Sequence, residues 1–169
     1  MKTRKVNVTS RRWFAVPALL AAIAPGACAR DTPEPRAVVP ASIAPAQFRS
    51  LSWLEGRWRG TDGSAPFYEA YRVIDDSTIR SFDYPDSTFS APSDSGAVRL
   101  RGDTVFSGSP ARQYVAVALD STRVTFEPWR GAANGFTWQR DQAGGWTATL
   151  TWDSAGIAMK RVYEMRRVP

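Results

Sequence analysis

The chain has 169 residues, 43% of them hydrophobic and 12% aromatic, which suits one globular domain with a packed core and excludes a disordered chain. Its formal charge of +6 is concentrated near the start, at Lys2, Arg4, Lys5, Arg11 and Arg12. Downstream, basic and acidic residues nearly cancel, which excludes the electrostatic footprint of a DNA or RNA binder. Histidine is absent and Cys28 is the single cysteine, which excludes serine-histidine triads, cysteine-histidine dyads, zinc sites, histidine-ligated haem and internal disulfides, and no cofactor is expected.

Residues 1–29 read as an export signal. A basic start leads into an apolar stretch from Trp13 to Ile23, too short for a spanning helix, and then into Ala24-Pro25-Gly26-Ala27-Cys28-Ala29. Ser10-Arg11-Arg12-Trp13-Phe14 resembles the twin-arginine motif, which implies export of a folded domain. Gly26-Ala27-Cys28 resembles the end of a bacterial lipobox, with Pro25 where that motif usually carries an aliphatic residue. Two maturations follow from this segment. In one, Cys28 is lipidated and anchors the protein to a membrane. In the other, an ordinary signal peptidase cuts after Ala29 and releases it. Both place the protein outside the cytoplasm, in the cell envelope or periplasm.

Residues 30–47 carry Pro33, Pro35, Pro40 and Pro45 among small and polar residues, a composition that predicts an extended linker. The folded domain is expected over 48–169. It opens with Phe48, Leu51 and Leu54 at helical spacing, ending at Gly56. Strands are predicted at 57–61, 67–74, 78–84, 97–100, 104–107, 113–119, 123–127, 135–140, 146–152 and 157–167. Short turns separate them, such as Asp75-Asp76-Ser77, Arg101-Gly102-Asp103 and Asp120-Ser121-Thr122. The clearest alternation is Trp146-Thr147-Ala148-Thr149-Leu150-Thr151-Trp152. In the last segment Ile157, Met159, Arg161, Tyr163 and Met165 share a face. Successive hairpins with such short links predict an all-β fold, an antiparallel up-and-down barrel of about 8–10 strands with a short N-terminal helix.

The opening Leu51-Ser52-Trp53-Leu54-Glu55-Gly56-Arg57-Trp58-Arg59-Gly60 is similar to the start of lipocalin-like and nitrobindin-like barrels, and Val124-Thr125-Phe126-Glu127-Pro128 is similar to a later strand end of the bacterial lipocalin-like domains. The resemblance implies that Trp58 plugs the closed end of the barrel beside an arginine of the last strand, Arg161 or Arg166. Haem binding by nitrobindin relatives uses a histidine, which this sequence lacks.

A barrel of this size can enclose a cavity, and the leading expectation is a small hydrophobic ligand held by Phe67, Glu69, Tyr71, Phe82, Trp138, Arg161 and Tyr163, with Glu69 or Arg161 fixing a polar end. The alternative is a packed barrel acting as a structural or interaction protein of the cell envelope, with Trp129 and Phe136 exposed around the loop 131–135. Catalysis ranks third: without imidazole or thiol it would need paired carboxylates such as Glu69 and Glu127, or a Tyr and Arg pair, and no spacing singles these out. No metal site and no nucleic-acid partner are expected.

Overall fold

A computed structural model describes residues 37–169; the expected export signal and Cys28 lie outside the described residues. Helix α1 (Pro45–Arg49) runs directly into a 3-10 turn (Ser50–Leu54). Ten strands follow: β1 (Gly56–Thr61), β2 (Phe67–Asp75), β3 (Thr78–Tyr84), β4 (Asp94–Arg101), β5 (Thr104–Ser109), β6 (Arg112–Leu119), β7 (Arg123–Arg130), β8 (Gly135–Arg140), β9 (Trp146–Ser154) and β10 (Ile157–Val168). Each pairs antiparallel with its neighbours in sequence, and β1 also pairs with β10, so the meander closes into a barrel. Closure gives the first and last strands partners and removes the open edges of a flat sheet.

Local chemistry explains the meander. Asp75 accepts hydrogen bonds from the backbone and hydroxyl of Ser77, both at 2.8 Å, and Asp120 accepts from the backbone N–H groups of Thr122 at 2.7 Å and Arg123 at 2.9 Å. These Asx turns reverse the chain and hold both carboxyls below their usual range, backbone hydrogen bonds being the largest cause. Strand β4 begins three residues before the predicted 97, because Asp94 and Ser95 pair with Asp83 and Phe82 although neither carries an apolar pattern. Strand β7 continues through Pro128, opposite a register shift between Gln113 and Tyr114 in β6, where the ladder is already irregular.

Part of the predicted linker belongs to the folded unit. The backbone N–H of Ala41 donates to the Ala116 carbonyl at 2.9 Å, that of Ile43 donates to the Asp103 carbonyl at 2.7 Å, and the Ile43 side chain is 1% exposed. Residues 37–44 carry no helix or strand, but the last three residues of the predicted linker are helical, and Ile43 finds a place in the core. Pro45 then stands at the start of α1, where its missing N–H costs nothing.

One end of the barrel is solid. Phe48, Leu51 and Leu54 from the helical turns pack with Trp58, Ile79, Val98, Val105, Val124 and Met165 in a single cluster. Trp146 sits at its centre, edge-on to Trp53, Trp58, Tyr71 and Trp138 at centroid distances of 5.7–6.0 Å. Each such pair contributes about 0.5–1.5 kcal/mol beyond the area it buries.

Candidate functional site

Trp58 is 1% exposed, and its Nε1 donates to the Leu54 carbonyl at 2.7 Å, tying strand β1 to the 3-10 turn. The arginine beside it is Arg167, which register places directly across from Trp58. Its guanidinium lies 4.7 Å from the Trp58 ring centroid and donates to the Glu55 carbonyl at 2.9 Å. Neither expected arginine has this position. Arg166 sits one residue out of phase and pairs with Asp141 at 2.6 Å, and Arg161 lies six residues earlier in β10, too far along the barrel. The motif glycine now has a physical reason. Gly56 has φ +139°, and a Cβ there would come within 2.6 Å of the Arg167 guanidinium.

Above Trp146 the inward side chains no longer fill the barrel. They line an open-mouthed cavity of about 370 Å³ formed by Phe67, Glu69 and Tyr71 of β2, Tyr114 of β6, Asn134, Phe136 and Trp138 of the β8 side, Trp146, Ala148 and Leu150 of β9, and Tyr163 and Met165 of β10. Its floor is buried: Trp146 and Met165 are each 1% exposed. Toward the open end Phe67 meets Tyr163 edge-on at 5.3 Å, and the Tyr114 hydroxyl donates to Asn134 Oδ1 at 3.3 Å. Glycine makes room for this wall, because a Cβ at Gly60, across from Phe67, would overlap the Phe67 ring.

Of the residues expected to hold a ligand, Phe67, Glu69, Tyr71, Trp138 and Tyr163 come together on this lining. Phe82 does not. It pairs with Ala70 on the opposite face of the sheet and lies between the guanidinium groups of Arg72 and Arg80, at 5.4 and 5.5 Å. Arg161 has the inward phase of Tyr163 but stands at the open end, with Nε 3.6 Å from the Asp62 carboxylate and a largely exposed side chain. Phe136, expected at the surface, is part of the lining, whereas Trp129 is 42% exposed. Glu127 follows the buried Phe126 and borders surface grooves outside the barrel, so it does not pair with Glu69.

Glu69 is the polar feature of the cavity. Its Oε2 accepts from the Tyr71 hydroxyl at 2.8 Å, and no arginine or lysine lies on the lining. Burial pushes its carboxyl up to about 7 against the opposing effect of that hydrogen bond, with Asp83 adding to the rise. Burial likewise raises the Tyr71 phenol. Trp146 adds an indole N–H with no acceptor among the described residues. No group of three or more potential metal ligands converges among the described residues. No protein family model, curated protein or solved structure matches the chain.

Proposed function

We propose that this is an exported, lipid-anchored barrel that carries a small hydrophobic ligand in the cavity above Trp146. The observation that supports it most is the change in packing along the barrel axis, from a solid floor to an aromatic-walled space of about 370 Å³, within the size range of small-molecule sites. The closed end supports a lipocalin-like reading, with Trp58 plugging the barrel under an arginine of the last strand. Export and anchoring rest on the basic leader and on the placement of Cys28 after Gly26-Ala27. Among the described residues no helix is long and apolar enough to cross a membrane.

Titration with N-phenyl-1-naphthylamine, a neutral apolar fluorophore, tests the cavity. Saturable probe emission with quenching of the lining tryptophans is expected, and no response at micromolar probe would sink the reading. Intact mass of the mature chain from a membrane fraction tests the anchor: a diacylated Cys28 supports it, and a chain starting at Arg30 removes it.

A second reading has its own observation. Ile157 and Met159, on one face of the β9–β10 hairpin, are 64% and 41% exposed. That pair favours a protein partner at the hairpin, and the same probe titration separates the two readings.

A further inference from the structure

Seven of the twelve residues lining the cavity are aromatic, and the one ionisable acid among them, Glu69, has a tyrosine hydroxyl as its partner and no cation. A carboxylate partly removed from water in this way is costly unless a positive charge arrives to meet it. Aromatic faces are negative, so rings around such a carboxylate add to its attraction for an ammonium group and repel an anion. A fatty-acid carboxylate would have to sit beside Glu69 with no arginine or lysine on the lining to offset the repulsion.

The strands beside Glu69 carry the same sign. Register places Asp83 of β3 directly across from Glu69, and Asp94 of β4 directly across from Asp83. Neither forms an ion pair among the described residues, and Asp94 raises the Asp83 carboxyl in addition to the larger effect of burial. Two strands round the barrel from Glu69, on β10, the positive charge of Arg161 is matched by Asp62 at 3.6 Å. The three carboxylates run along the wall instead of converging, which suits a single-point organic cation better than a metal ion.

We propose that the ligand of this cavity is an organic cation, a protonated amine or quaternary ammonium group on an apolar body, with its charge at Glu69 and its body against Trp138, Trp146 and Phe136. This rests on the reading that the cavity holds a small ligand, and it narrows the class of that ligand.

Three compounds with one apolar body and different heads provide the test: 3-phenylpropylamine, 3-phenyl-1-propanol and 3-phenylpropionate, titrated at pH 8 into the full chain with tryptophan fluorescence as the readout. The amine is expected to bind at least about tenfold more tightly than the alcohol, the scale of one charge-assisted hydrogen bond, and the propionate most weakly. Glu69→Gln should bring the amine to the alcohol's affinity. The series on the unsubstituted chain decides the matter even if that variant fails to fold. Equal affinities for the three heads, or N-phenyl-1-naphthylamine binding with no response to the amine, overturn the cation proposal and leave the cavity reading standing. No response to any compound, that neutral fluorophore included, overturns both.

Discussion

The Arg167 guanidinium covers the face of Trp58 at 4.7 Å while donating to the Glu55 carbonyl at 2.9 Å, so one side chain of the last strand closes the end of the barrel where the first strand begins. Arg167→Ala should cost roughly 1 kcal/mol, since the guanidinium remains partly hydrated, whereas Trp58→Ala removes the plug and should cost about 3–5 kcal/mol. Arg167→Lys should recover less than half of the Arg167→Ala loss, because an ammonium cannot both stack on the ring and donate in the fork geometry. Urea unfolding of the three variants measures this, and a lysine variant as stable as the parent would show that charge alone is needed.

Ile43 makes the residues just before α1 part of the fold. With its side chain 1% exposed and its N–H bonded to Asp103, Ile43→Ala should destabilise the protein by about 2–4 kcal/mol. Val39→Ala, at a position 75% exposed, is the control and should stay within about 0.5 kcal/mol of the parent. Equal midpoints for both variants in urea would mean that the segment contributes nothing to the barrel.

The strands were legible because Asp, Ser or Gly punctuates most of the turns between them, and the turn uses that residue's own chemistry at Asp75 and Asp120. Period two gives two faces per strand but does not say which one is inside, and that ambiguity accounts for Phe82. Counted across the β2–β3 hairpin, Phe82 falls opposite Ala70 and therefore shares a face with Arg72 and Arg80, not with Glu69 and Tyr71. The same counting finds Arg167, two residues beyond Met165 on the face already recognised in the last strand. Tyr114, Asn134 and Leu150 reach the cavity from strands distant in sequence, and only the closure of β1 on β10 brings their walls together with β2.

Because Phe82 is outside the cavity and Ala148 is on its wall, two substitutions separate fold from site. Ala148→Phe places a ring in the space between Trp138 and Tyr163, its cross-strand neighbours, and should abolish binding of N-phenyl-1-naphthylamine at a cost of about 1 kcal/mol. Phe82→Ala should also cost about 1 kcal/mol, through loss of its contacts with Arg72 and Arg80, and leave probe affinity unchanged. If both variants lose the probe together, binding tracks general stability instead of this cavity.

Glu69 sets the direction in which stability changes with pH. Its folded carboxyl is raised from 4.5 to about 7, so between those values the native protein keeps a proton that the unfolded chain has released. Stability therefore falls as pH rises from about 4.5 to about 7 and levels off above, by up to about 3 kcal/mol for a shift of this size. Three groups define the surroundings of that proton. Tyr71 on the same strand donates to the carboxylate and opposes the rise, Asp83 across the β3 ladder reinforces it, and Trp58 across β1 carries no charge. Asp83 is itself raised and adds a decline of the same sign, whereas the lowered Asp75 and Asp120 contribute stability that is lost only as pH falls through their folded values, below about 4. Glu69→Gln keeps an acceptor for the Tyr71 hydroxyl and has no proton to release. It should be more stable than the parent at pH 8, by about 1–3 kcal/mol, and match it near pH 5. Urea unfolding of both proteins at pH 5, 6, 7 and 8 reads the difference directly, and two curves that stay parallel across that window would show that the Glu69 carboxylate is as well solvated in the folded protein as in the unfolded chain.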